Sequence, residues 1–100
     1  MDKEYSIEER QRLFSGLCKE LSDLHEIKDS DYNGAFEESL DEFGLMHSAA
    51  MIKHKVNRFK NIVEKKKINV SSESMKDTLL DLASYAIMTA AWLDFHNKDV

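Results

Sequence analysis

Two carboxylates and two cations stand at helical spacings in this sequence, and they are its clearest candidates for chemistry. Asp77 and Asp81 are one turn apart, and Tyr85, Met88 and Trp92 continue the same strip at intervals of three and four. Lys55 and Arg58 are also one turn apart. Arg grips phosphate oxygens with a planar two-pronged fork and Lys acts as a point charge, so the pair is suited to an anion. Asp77 and Asp81 would then orient those cations, bind a divalent ion, or accept hydrogen bonds from a sugar or base. The plainer account is an inter-helix salt-bridge network that fixes the register of a bundle, which demands nearly complete pairing where it is buried. His47, Met51 and His54 fall on the strip of Lys55 and Arg58. Tyr85 is a candidate for ring stacking, whereas Trp92 suits core packing. Tyr32 either lies over helix ends or stacks on a ligand at a pocket rim.

Other chemistries lack their residues. His47 and His54 are separated by two turns without cysteine or carboxylate company, which is not a zinc pattern. No Gly-rich phosphate loop and no nucleophile elbow occurs. No catalytic residue can therefore be assigned. Glu37, Glu38, Asp41 and Glu42 form an acidic cluster, read as a solvated face or as part of a metal-carboxylate set.

The elements that must position these groups are helices. Ser6 followed by Glu9 predicts a capping box and a helix to about Lys28, with Ile7, Leu13, Phe14, Leu17, Cys18, Leu21, Leu24 and Ile27 on its apolar face. On that face Cys18 is expected to be a buried, inert thiol, and His25 a surface residue. Residues 29–34 carry turn formers ending in Asn33-Gly34 and predict a break. A short helix over 36–43 turns Phe36, Leu40 and Phe43 inward, and Gly44 permits a bend. A third helix runs from Leu45 to about Lys66, with Leu45, Ala49, Ile52, Val56, Phe59, Ile62 and Val63 facing the core. Lys65, Lys66 and Lys67 suit its C-terminal dipole. Residues 68–72 read as a linker. Ser72 or Ser74 then caps a last helix ending near His96, whose apolar stripe is Leu79, Leu82, Ala83, Ala86, Ala90 and Leu93. Its small residues, among them Ala86, Ala90 and Ala91, would let another helix approach closely.

The chain has 100 residues, no proline, three glycines and one cysteine. It reads as a single all-α domain over 1–100, a bundle of three main helices and one short one. A core of this size is modest, which favours a homo-oligomer. The net charge of −5 argues against a nucleic-acid partner. No apolar run is long enough for a membrane span, and the charged start is unlike a signal peptide. A reduced, cytoplasmic setting is expected.

These residues resemble the nucleotide-modification-associated domain 1 family, often found in bacteriophages. The matching pieces are Asp31-Tyr32 with Phe36, Ser39 to Leu45, Lys55 with Arg58, and the block from Glu73 through Asp77 and Asp81 to Tyr85 and Thr89, covering roughly residues 28–93. The family usually has Gly directly after the Asp-Tyr pair, whereas Asn33 intervenes here. The resemblance implies a link to nucleotide metabolism. It also implies a helical layout similar to the all-α nucleoside-triphosphate pyrophosphohydrolases of the MazG and dUTPase type, which bind Mg²⁺ through two acidic pairs. An enzyme of that kind would use Asp77 with Asp81, at a spacing of four rather than three, and Glu38 with Asp41.

Three readings follow. The first is a phage-type protein that sequesters a nucleotide or nucleotide-derived immune signal without turnover, through Lys55, Arg58, Asp77, Asp81, Tyr85, Tyr32, His47 and His54, needing no cofactor. The second is a Mg²⁺-dependent nucleotide pyrophosphohydrolase. The third is a helical structural or regulatory partner. The small chain and incomplete metal set favour the first.

Overall fold

A computed structural model describes residues 4–65 and 72–96, apart from the side chains of residues 72 and 73. All regular structure among them is helical: α1 (Ile7–Tyr32), α2 (Ala35–Phe43), α3 (Leu45–Glu64) and α4 (Ser72–His96). By its internal contacts the chain divides into two compact units, residues 1–33 and 34–100.

The first unit is built on α1. Ser6, in extended conformation, accepts a hydrogen bond from the Glu9 amide and so satisfies one of the orphan donors of the first turn. The expected box is only half made, because the Glu9 carboxylate pairs with Arg12. The helix does not stop at Lys28. Asp29 to Tyr32 continue it, and the stop comes at Asn33, whose left-handed φ of 53° is followed by φ 72° at Gly34. Two successive positive φ values cannot propagate a right-handed helix, whereas Asp and Ser are tolerated in a last turn. No residue of α1 is buried. Phe14, Leu17, Leu24 and Ile27 are exposed, and Cys18 is exposed rather than the buried thiol expected. Within its own unit α1 has no second layer to cover its stripe. His25 is half-buried, not a surface residue.

The second unit packs α2, α3 and α4. Gly44, with φ 77° and ψ −169°, closes α2 and opens α3, a conformation open essentially to glycine. The core is thin. Among the described residues Leu40 and Ile62 are its buried apolar residues and Ser48 and Thr78 its buried polar ones. Phe43 is exposed, contrary to the inward position expected of it. Gly44 directly after it redirects the chain before that side chain can be covered.

Both long helices are turned by about one residue from the phase expected. On α3 the inward line is Ser48, Ile52, Lys55, Phe59 and Ile62, while Leu45, Ala49, Val56 and Val63 are exposed. On α4 it is Thr78, Asp81, Leu82, Tyr85, Thr89 and Trp92, while Leu79, Ala86 and Ala90 are exposed. Polar pairing explains the rotation. The Ser48 hydroxyl bonds Thr89, Lys55 meets Asp81, and Arg58 meets Thr78. Those pairs, with sequence order running oppositely on the two helices, fix an antiparallel register. Buried hydroxyls and charges demand partners, whereas aliphatic side chains tolerate water at a smaller penalty each.

α3 ends at Glu64, with Lys65 at its C-cap; Lys66, Lys67 and the predicted linker up to residue 71 lie outside the described residues. Ser72 and Ser74 both lie inside α4 rather than before it, and the residues preceding Ser72 lie outside the described residues. The helix is described as far as His96, and the predicted end near that residue adjoins residues outside the described ones.

Candidate functional site

The seam between α3 and α4 collects the predicted cations. Lys55 Nζ lies 3.1 Å from Asp81 Oδ2, with the lysine side chain 18% exposed and the aspartate 37%. A pair this open to solvent contributes up to about 1 kcal/mol, so its value lies in placing charge more than in stability. Arg58 sits one turn along α3. Its Nε donates to Thr78 Oγ1 at 3.2 Å, and the Thr78 hydroxyl donates back to the Ser74 carbonyl at 3.1 Å. Only the inner nitrogen of the fork is engaged among the described residues, so the terminal pair can serve an outside acceptor.

The same device recurs three turns along α4. Thr89 donates to the Tyr85 carbonyl at 2.7 Å, leaving its oxygen to accept from Ser48. Each threonine satisfies its own helix and presents an acceptor to α3. Reading the sequence for charge missed Ser48 and Thr78 altogether and placed Thr89 at the end of the family's motif block. Their shared face with Asp81 and Tyr85 was the available signal.

Aromatic rings stand one turn beyond the Lys55–Asp81 pair. Phe36 of α2 stacks on Tyr85 with centroids 5.4 Å apart and planes within 10°. His47 leans on Phe36 at 5.6 Å and on Phe43 at 6.4 Å. This offset arrangement is favourable for aromatic pairs and holds the Tyr85 ring in a defined orientation. Lys55, Arg58, Asp81, Tyr85 and His47 are thereby gathered along one seam. Asp77 is exposed, one turn before Asp81 on α4, and His54 is exposed beside Lys55. Tyr32 is exposed at the end of α1, within the first unit.

The carboxylates that a metal-dependent reading requires do not converge. Asp41 accepts from Trp92 Nε1 at 3.0 Å and lies 3.6 Å from His96 Nε2. Trp92 is eleven residues beyond Asp81, about 16 Å along the helix axis. Glu38 lies on α2 with Asp41. Among the described residues no three His, Cys, Asp or Glu side chains form a metal-binding group. Glu38, Asp41, Asp77 and Asp81 therefore do not fit a magnesium cage.

A small all-α chain with a cationic seam beside stacked rings is the class that the geometry defines. The family model described as nucleotide modification associated domain 1 matches residues 28–93, from the end of α1 through nearly all of α4. The chain belongs to that family. No curated protein matches it. No solved structure matches it either. Among the described residues no helix is long and apolar enough to cross a membrane.

Proposed function

We propose that this protein binds a nucleotide or a nucleotide-derived signal and holds it without turnover. The observation that supports this is the placing of Lys55 and Arg58 one turn apart on α3, next to the Tyr85–Phe36 stack. Two adjacent cations suit phosphate, and a fixed ring beside them suits a base. Asp81 would accept from sugar or base donors, with His47 and His54 contributing at the margins. In a phage infecting a cell with nucleotide-based immunity, such a protein would act in the host cytoplasm as a sponge that withdraws the messenger.

A homo-oligomer belongs to the same proposal. α1 exposes Phe14, Leu17 and Leu24, and the rotated phase of α4 exposes Leu79 and Ile87. Copies of the chain would cover this apolar surface.

The test is incubation of the full chain with nucleotides, cyclic dinucleotides and cyclic ADP-ribose-type signals in the presence of Mg²⁺. The small molecules are then separated before and after heat denaturation. The expected result is a ligand that disappears and returns unchanged on heating, with the loss abolished in Arg58→Ala. Release of a monophosphate and pyrophosphate would overturn the proposal in favour of a pyrophosphohydrolase. Retention of no nucleotide would leave a helical interaction protein.

A further inference from the structure

The Lys55–Asp81 pair has a consequence for which anions the seam accepts, and it rests on the nucleotide-binding reading above. Lys55 is the less exposed of the two cations, and its ammonium already has a carboxylate at 3.1 Å. A phosphate oxygen that reaches Lys55 must displace Asp81 or share the ammonium with it. Either way the carboxylate finds itself beside a second anion and loses part of its own stabilisation. What happens next depends on the rest of the ligand. Pyrophosphate brings acceptors almost exclusively, so it gives a displaced carboxylate little to bind. A nucleotide brings ribose hydroxyls and base amino groups, which donate to a carboxylate and compensate it through charge-assisted hydrogen bonds. Tyr85 stands one turn along α4 from Asp81, its ring orientation held by stacking on Phe36, and is the aromatic group nearest in sequence for a nucleoside to meet.

We infer that Asp81 is a specificity-determining residue of this seam. It holds Lys55 against bare anions and yields it to anions that carry hydrogen-bond donors. The chemical class favoured is thus a phosphate ester of a nucleoside over an inorganic phosphate of equal charge. Asp77 differs because it is exposed one turn away, so it contributes to the local field without occupying Lys55.

The experiment is equilibrium dialysis of the full chain against inorganic pyrophosphate and against ADP, which carries the same two phosphorus centres plus a nucleoside. EDTA keeps metal ions out of both arms. Asp81→Asn is expected to bind pyrophosphate about two- to fivefold tighter than the unmodified chain, the range released when a partly exposed ion pair is removed. ADP should gain less, so the preference for ADP shrinks. Asp77→Asn should leave that preference where it was. An unchanged or widened preference in Asp81→Asn overturns the inference. So does an equal shift in Asp77→Asn, which would mark a field effect and not an occupied ammonium. Absence of measurable binding of either probe to both the unmodified chain and Asp81→Asn overturns it too.

Lys55→Met separates this inference from the reading beneath it. If Lys55→Met loses ADP while Asp81→Asn shows no change of preference, the site stands and the role of Asp81 fails. If Lys55→Met binds ADP like the unmodified chain, the site itself is misassigned. Circular dichroism monitors folding of each variant, and Asp81→Ser supplies a second neutral side chain should Asp81→Asn unfold.

Discussion

Thr78 and Thr89 show how a helix with few buried aliphatic residues can still be held in one phase. Each hydroxyl closes a bond to its own backbone and offers its oxygen to α3, to Arg58 in one case and Ser48 in the other. Thr78 is 2% exposed, so losing its hydroxyl is felt inside the unit. Thr78→Val keeps the shape and removes the acceptor. It should destabilise the chain by about 0.5–1.5 kcal/mol, because Arg58 can turn to water while the buried packing survives. Thermal melting followed by circular dichroism measures this, and a melting temperature equal to that of the unmodified chain would contradict it. The same variant should weaken nucleotide binding by releasing Arg58 from its anchored orientation. Ser48→Ala should cost a similar amount, since Thr89 keeps its bond to the Tyr85 carbonyl and loses one donor.

At the scale of elements, two short breaks decide where the helices stop. Asn33 and Gly34 both take left-handed backbone, and Gly44 takes a conformation with φ 77° and ψ −169°. A Cβ added at Gly44 would meet no heavy atom within 4 Å, so any penalty there is one of backbone conformation and not of crowding. Gly44→Ala should therefore lower stability by about 1–3 kcal/mol. Denaturant unfolding should show the loss as a lower midpoint at unchanged slope. A stability equal to that of the unmodified chain would mean that α2 and α3 can meet at another angle. Gly34→Ala, at a milder left-handed position, should cost about 1–2 kcal/mol.

For the whole molecule the governing fact is how little apolar surface is buried within the second unit. Among the described residues Leu40, 1% exposed, is its one large side chain with almost no contact with water. Leu40→Ala should remove about 2–5 kcal/mol, a large share of the stability usual for a chain of this size. Loss of the cooperative thermal transition is the expected observation. The aliphatic faces of α3 and α4 that point outward give the proposed oligomer its motive. Light scattering coupled to gel filtration should return a multiple of 11.6 kDa. Ile87→Glu, at a position 56% exposed in the single chain, should reduce that mass while leaving helicity intact. A chain that runs at its single-copy mass before any substitution would remove the oligomer from the proposal.

The sequence by itself determined the helices, the cap at Ser6, the breaks around Asn33-Gly34 and Gly44, and the family. These depend on groups three or four residues apart, or on the backbone freedom of one residue, and such interactions are legible along a chain. It also placed Lys55, Arg58, Asp81 and Tyr85 among the residues of interest. Only the tertiary structure decided which stripe of α3 and of α4 turned inward. Apolar and polar stripes run side by side on both helices, and periodicity ranks them by hydrophobicity alone. The choice was made by partners 20 to 51 positions distant, Thr78 for Arg58, Thr89 for Ser48 and Trp92 for Asp41. Helix phase therefore followed polar satisfaction across the seam. The same choice paired Lys55 with Asp81, drew Asp41 away from the other acids and left the aliphatic faces of α3 and α4 outward, because a buried hydroxyl or charge without a partner is the more expensive arrangement.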